Sequence, residues 1–211
     1  TSSNCSAVSR RPSVVIGSGI NLPEADPALD FRRQHGLERP FVLYVGRIDR
    51  IDVGIVLNVL DNHLGLDGME TRADMAGVKG LVATHCSAMV VLNADDPLVL
   101  RMSGYTDAKS ICYVTMNPEH TLVREHIRAG GRACALEAGV NGQMITLYDR
   151  GGHIPLLWTH LIPATLEGRA LHNVQNAMFA AAMAFSLGIK LDAIRQGLRT
   201  FDSTFFQAPG R

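Results

Sequence analysis

The apolar positions fall into short blocks divided by polar and glycine-bearing stretches, and the blocks alternate in kind. Val53–Val59, Ala88–Leu92, Ser110–Thr115 and Arg132–Leu136 read as buried strands. Between them Glu70–His85, Pro97–Met102 and Glu119–Ala129 read as helices, the first opened by a capping box at Thr71 and Asp74. Strands that alternate with helices predict an α/β fold, a mostly parallel sheet flanked by helices on both faces. Gln143–Tyr148 and Ile154–Trp158 predict a small antiparallel β pair around Arg150-Gly151-Gly152. His172–Leu187 and Leu191–Thr200 predict two closing helices. Upstream, residues 1–13 are polar, Val14–Ile16 predicts a short strand, Leu29–His35 a helical turn or two, and Phe41–Val45 another strand. The rhythm breaks once. Only Gly46–Asp52 separate Phe41–Val45 from Val53–Val59, whereas a parallel crossover needs about a dozen residues.

Composition narrows the classes. In 211 residues, 46% are hydrophobic, and 20 basic residues balance 20 acidic ones. A core is affordable, and a nucleic-acid footprint, which needs a basic surplus, is not expected. A small anionic ligand stays compatible, because backbone groups can bind it. Cys5, Cys86, Cys112 and Cys134 form no CxxC pair, and the last three sit in apolar stretches, so buried reduced thiols are expected. No N-terminal signal pattern is visible. The most apolar helix, Ala177–Ile189, is too short to span a bilayer and is broken by Ser186 and Gly188. The expectation is a cytoplasmic protein without a membrane partner, with self-association left open.

Four stretches could carry chemistry. Asn58, Asp61 and His63 follow a strand, where ligands of open α/β sheets bind, and a histidine beside oxygen donors can hold a divalent metal. A polar turn explains the same residues. Asn93 and Asp95, in "NADDP", follow another strand on the same edge, while Asp96 reads as an N-cap with Pro97 at the first helical position. Lys79 borders the apolar face of its helix, where a lysine ordinarily snorkels to solvent. Asn173 and Asn176, in "HNVQNA", share a helix face. They suit the edge of an adenine, or Asn173 caps the helix. Alanines at 177, 180, 181, 182 and 184 would allow close helix–sheet packing. No GxxxxGK[ST] phosphate loop occurs, and "IGSGIN" reads as a turn.

In this order, "DVGIVLNVLDNHLGLDGMETRADMAGVK", "VVLNADDPLV", "LHNVQNAMFAAAMAFSLGIKLDAIRQGLRTF" and "APGR" resemble the central domain of the Mur ligase superfamily. The nearest likeness is to the Mur-like half of the cyanophycin synthetases. The resemblance implies ATP-dependent amide-bond formation between an acid and an amino acid, through an acyl phosphate, with ATP and Mg2+. It implies a small-molecule or polymer substrate, arginine and an aspartate-rich peptide. It makes His63 a magnesium ligand and Lys79 the lysine that is carbamylated, so both are catalytic candidates and metal-binding candidates. It places Asn173 and Asn176 near adenine, Arg211 toward the nucleotide phosphates, and Asn93 and Asp95 in the NADD motif of the cofactor site.

The likeness covers about 52–211, as a partial central domain, with no phosphate loop before it and no third domain after it. Residues 11–50, "VVIGSGINLP" and "FRRQHGLERPFVLYVGRID", resemble instead part of the second domain of a GT-B glycosyltransferase. Segment 1–50 is therefore not expected to be an independent domain, and a junction is expected near Arg50 and Ile51. The expected chain is a fragment or fusion, inactive by itself. The alternatives are a glycosyltransferase fragment and a non-catalytic Mur-fold binding module.

Overall fold

The structure is a computed structural model that describes residues 51–61, 65 and 70–201. The predicted elements at 14–16, 29–35 and 41–45, the junction near residue 50, the glycosyltransferase-like segment, Cys5, His63 and Arg211 lie outside those residues.

Six strands form one sheet in sequential order. β1 (Ile51–Val56), β2 (Cys86–Asn93), β3 (Ser110–Thr115) and β4 (Arg132–Gly139) run parallel. β5 (Gly142–Asp149) and β6 (Gly152–Trp158) continue it antiparallel. The predicted α/β class, mostly parallel with an antiparallel pair, is the one observed. The antiparallel part is larger than expected, since β4 and β5 also form a hairpin. The β5–β6 turn puts Arg150 at φ 50° and Gly151 at φ 79°, the two left-handed residues of a tight hairpin.

The crossovers are α1 (Arg72–Thr84), the one-turn α2 (Pro97–Leu100) with a 3-10 turn at Arg101–Gly104, and α3 (Thr121–Arg128). Crossovers of one hand between sequential parallel strands fall on one face. That face buries Val90, Leu92, Tyr113 and Ala133 with Met75, Val99 and Val123. The alternate strand residues, Met89, Val91, Cys112, Val114 and Cys134, point to the other face. There α4 (Leu171–Ser186) and α5 (Leu191–Thr200) cover them with Val174, Met178, Phe179, Ile194 and Leu198. Each such side chain contributes roughly 1.5–3 kcal/mol on burial. Ala177, Ala181 and Ala182 pack inward as expected, but Ala180 faces solvent. Cys86, Cys112 and Cys134 are buried free thiols, and burial pushes Cys86 up to about 11 and Cys112 to about 12. Among the described residues no helix is long and apolar enough to cross a membrane.

β1 packs unusually close to α1 and β2. A Cβ on Gly54 would stand 2.1 Å from Cys86 Sγ and 2.8 Å from Val82 Cγ1, so only glycine fits there. The predicted capping box is present: Asp74 N donates to Thr71 Oγ1 at 3.2 Å, and Thr71 N to Asp74 Oδ2 at 2.9 Å. It starts α1 so that its buried stripe, Met75, Gly80 and Ala83, meets the sheet.

Candidate active site

β1 was expected to run to Val59, but its ladder ends at Val56. Leu57, Asn58 and Val59 leave the sheet with backbone groups that need partners. Side chains supply them. Asn93 Nδ2 donates to Leu57 O at 2.7 Å. Lys79 Nζ donates to Asn58 O at 2.8 Å. Val59 N donates to Asp96 Oδ2 at 2.7 Å, and Arg72 Nη2 donates to Val59 O at 2.7 Å. Polar side chains from α1 and from the NADDP stretch converge on one piece of main chain at the carboxyl edge of the sheet. Val59 itself is fully buried.

Asp96 has two functions. Its Oδ1 accepts from Leu98 N at 2.9 Å and Val99 N at 3.3 Å, the expected cap of α2, with Pro97 at the first helical position. Its Oδ2 holds Val59. Asn93 is buried, and its Oδ1 accepts from Asp95 N at 3.0 Å. The Asp95 carboxylate accepts from Thr115 Oγ1 at 2.5 Å and from Met116 N at 2.7 Å, which ties the end of β2 to the end of β3. Both residues thus brace the strand ends.

Lys79 is half-buried. Burial lowers its pKa from the ordinary 10.5, against the attraction of Asp96. Its head is turned to the strand end and does not snorkel away from it, so an amine sits at the edge where ligands of such sheets bind. Asn173 does not cap α4: the cap position is Ala170, without a side-chain bond. Asn173 Nδ2 reaches back to Ala164 O at 2.7 Å and fixes the 3-10 turn Pro163–Thr165 against the helix start. Asn176, one turn on, is exposed.

Three contributors were missed by the sequence reading. Arg72 clamps Val59 and also pairs with Asp61 at 3.5 Å. Thr115 completes the Asp95 brace. His120 Nε2 lies 3.1 Å from Ala94 O, while its Nδ1 is buried without a hydrogen-bond partner among the described residues. Of the three, only Thr115 had a signal in the sequence, as the polar residue that closes the predicted strand Ser110–Thr115. Among the described residues no group of three His, Cys, Asp or Glu could hold a metal ion. The described side of the site offers oxygen atoms and one amine that carbamylation would convert to a carboxylate-like group, donor chemistry that suits magnesium.

Over 165 residues the chain is 39% identical to a cyanophycin synthetase of Synechocystis sp., covering 77% of this chain and 18% of that protein. The chain is similar to a segment of the cyanophycin synthetases. It is also 28% identical over 152 residues to a UDP-N-acetylmuramoylalanine–D-glutamate ligase of Desulfitobacterium hafniense, covering 72% of this chain and 29% of that one. It therefore spans less than a third of the length of either relative. A solved UDP-N-acetylmuramoylalanyl-D-glutamyl-2,6-diaminopimelate–D-alanyl-D-alanyl ligase from Acinetobacter baumannii aligns over 75% of this chain and 32% of its own, at 22% identity and a TM-score of 0.43. No family model matches the chain. The expected resemblance to cyanophycin synthetases and Mur ligases is thus present.

Proposed function

We propose that these residues are the central segment of an ATP-dependent amide-bond ligase of the cyanophycin synthetase and Mur type. The observation that carries this reading is Lys79, a partly desolvated amine held 2.8 Å from the Asn58 carbonyl at the carboxyl edge of the sheet. Carbamylation needs a neutral amine, and burial favours the neutral form. The 39% identity to a cyanophycin synthetase supports the same class. When bound, ATP supplies a phosphoryl group to a substrate carboxylate, and an amine displaces it as the amide forms. Lys79, carbamylated, and His63 would hold Mg2+. Asn176 would contact the adenine, with Asn173 fixing the helix start beneath it, and Arg211 would face the phosphates. Asn93, Asp95 and Asp96 keep the strand ends in place for these groups. The substrate pair by this reading is arginine and an aspartate-rich peptide, and the polypeptide of these 211 residues is expected to show no ligase turnover alone.

The test is carbamate formation at Lys79. With 13C-labelled bicarbonate, the chain should give a carbamate carbon signal that is absent from Lys79→Ala. A fluorescent ATP analogue with magnesium should bind, and should bind more weakly to His63→Ala and Asn176→Ala. Absence of the carbamate, together with equal nucleotide binding in all variants, would leave a non-catalytic module as the better reading. Arginine incorporation by this polypeptide alone would refute its expected inactivity.

A further inference from the structure

At the amino ends of β3 and β4, opposite the candidate active site, a cleft of about 600 Å³ opens. That volume is in the range of small-molecule sites. It lies between the segment leading into β3, the Gly130-Gly131 turn after α3, and the β5–β6 hairpin. Three cations line it, Lys109, Arg132 and Arg150, against one carboxylate, Asp149. Arg132 and Asp149 satisfy each other: Nε donates to Oδ1 at 2.8 Å and Nη2 to Oδ2 at 3.5 Å. The same guanidinium lies 5.5 Å from the Phe185 ring centroid. Lys109 and Arg150 have no side-chain hydrogen bond or ion pair among the described residues. The cleft therefore carries two uncompensated positive charges.

The neighbouring hydroxyls do not compete for those cations as donors to a ligand. Ser103 Oγ donates to Leu100 O at 2.7 Å, Thr106 Oγ1 to Ala83 O at 2.7 Å and Ser110 Oγ to Ala88 O at 3.3 Å. Lys109 and Arg150 remain on the lining as side-chain donors without an acceptor among the described residues. Arg150 also stands where an arginine is not the easy choice. Its φ of 50° is left-handed, a position at which Gly, Asn or Asp is preferred in this turn. Arg150 N donates to Gly130 O at 3.2 Å and pins the hairpin to the far wall of the cleft.

We propose that this cleft is a second ligand site that binds the phosphate group of a small molecule between Lys109 and Arg150. A guanidinium grips two phosphate oxygens at once, and the ammonium serves a third as a point charge. The site is separate from the carboxyl edge and does not depend on the ligase reading.

The experiment is a phosphate titration of the isotopically labelled 211-residue chain, read at the backbone amides of Gly130, Gly131, Arg132 and Gly151. Inorganic phosphate should shift them saturably. Glycerol 3-phosphate binding more tightly would identify a phosphate monoester as the ligand, and equal or weaker binding would identify free phosphate. Arg150→Gly removes the guanidinium and suits the left-handed backbone, so it should fold at least as well and weaken phosphate binding about tenfold. Lys109→Ala should weaken it by a smaller factor, and Arg150→Lys should recover part of the loss. No saturable shift at these amides, or unchanged titrations in Arg150→Gly and Lys109→Ala, would overturn the proposal.

Discussion

The two edges of the parallel sheet use polar residues in opposite ways. At the carboxyl edge, Asn93, Asp95, Asp96 and Arg72 bond to main chain that has left the sheet, and Lys79 joins them. At the amino edge, one ion pair is closed and two cations are left over. A motif rich in carboxylates can therefore be a brace first, and a sparse pair of cations can be the less committed chemistry. Polar density in a sequence does not measure availability to a ligand. The contrast can be broken by removing the braces one at a time.

The largest effect should come from Asp96→Ala. It removes a helix cap worth about 1 kcal/mol and leaves the Val59 N–H unpaired beside a buried side chain, for about 1–3 kcal/mol more. The sum, about 3 kcal/mol, corresponds to a fall of about 10 °C in Tm for a unit of this size. Thermal unfolding of the variant against the parent checks it. A loss no larger than that of a cap alone would mean that the Val59 bond is replaceable by water, and that the carboxyl edge is less tightly braced than described.

This dual function of Asp96 shows what the sequence could disclose. The cap was legible, because Asp-Pro at a helix start is a local rule. The bond to Val59 was not, because its partners are 37 residues apart. The same reason explains the end of β1. Leu57 and Val59 are apolar and extend the strand pattern, but Asn93, 36 residues on, takes the Leu57 carbonyl, and the ladder stops at Val56. The strand–helix rhythm was readable since periodicity is a local property, and so was the α1 capping box. Of the two alternatives for Asn173, the helix cap came from a local rule and does not hold: a 3-10 turn brings the Ala164 carbonyl to it, and helix start and asparagine meet through a backbone turn that composition does not encode. Arg72, in the first turn of a polar helix end, gave no sign that it clamps main chain 13 residues upstream.

A smaller loss is expected for Asp95→Ala, about 1–2 kcal/mol, since Met116 N is nearer to solvent and Thr115 Oγ1 can turn to Asn117 O at 3.1 Å. Thr115→Val separates the two contributions. The double variant should lose less than the sum of the single ones if the Asp95–Thr115 bond at 2.5 Å couples the strand ends. Urea unfolding of the four proteins measures that coupling. Strict additivity would mean that Asp95 does not act as a tie between β2 and β3, and the carboxylate would then be better described as available to a ligand.

The smallest effect, and the one that tests the boundary between brace and chemistry, belongs to Lys79. Burial lowers its pKa below the ordinary 10.5, although Asp96 partly opposes the shift. In the window between that lowered value and 10.5, the unfolded chain holds a proton that the folded chain has given up. Stability linked to this group therefore rises with pH across that window, and below it the penalty for burying the charged ammonium is complete. Lys79→Met keeps the side-chain length and removes the titration, so the parent should gain stability relative to this variant as pH climbs from neutral toward 10.5. The comparison must be run in buffers free of carbon dioxide, because the neutral amine that produces the slope is also the form that carbamylates. Adding bicarbonate in the same window should then stabilise the parent further and leave Lys79→Met unchanged. A flat difference in both buffers would place Lys79 with Asn93 and Asp96 as a brace of the Asn58 carbonyl, and the carboxyl edge would hold no uncommitted amine.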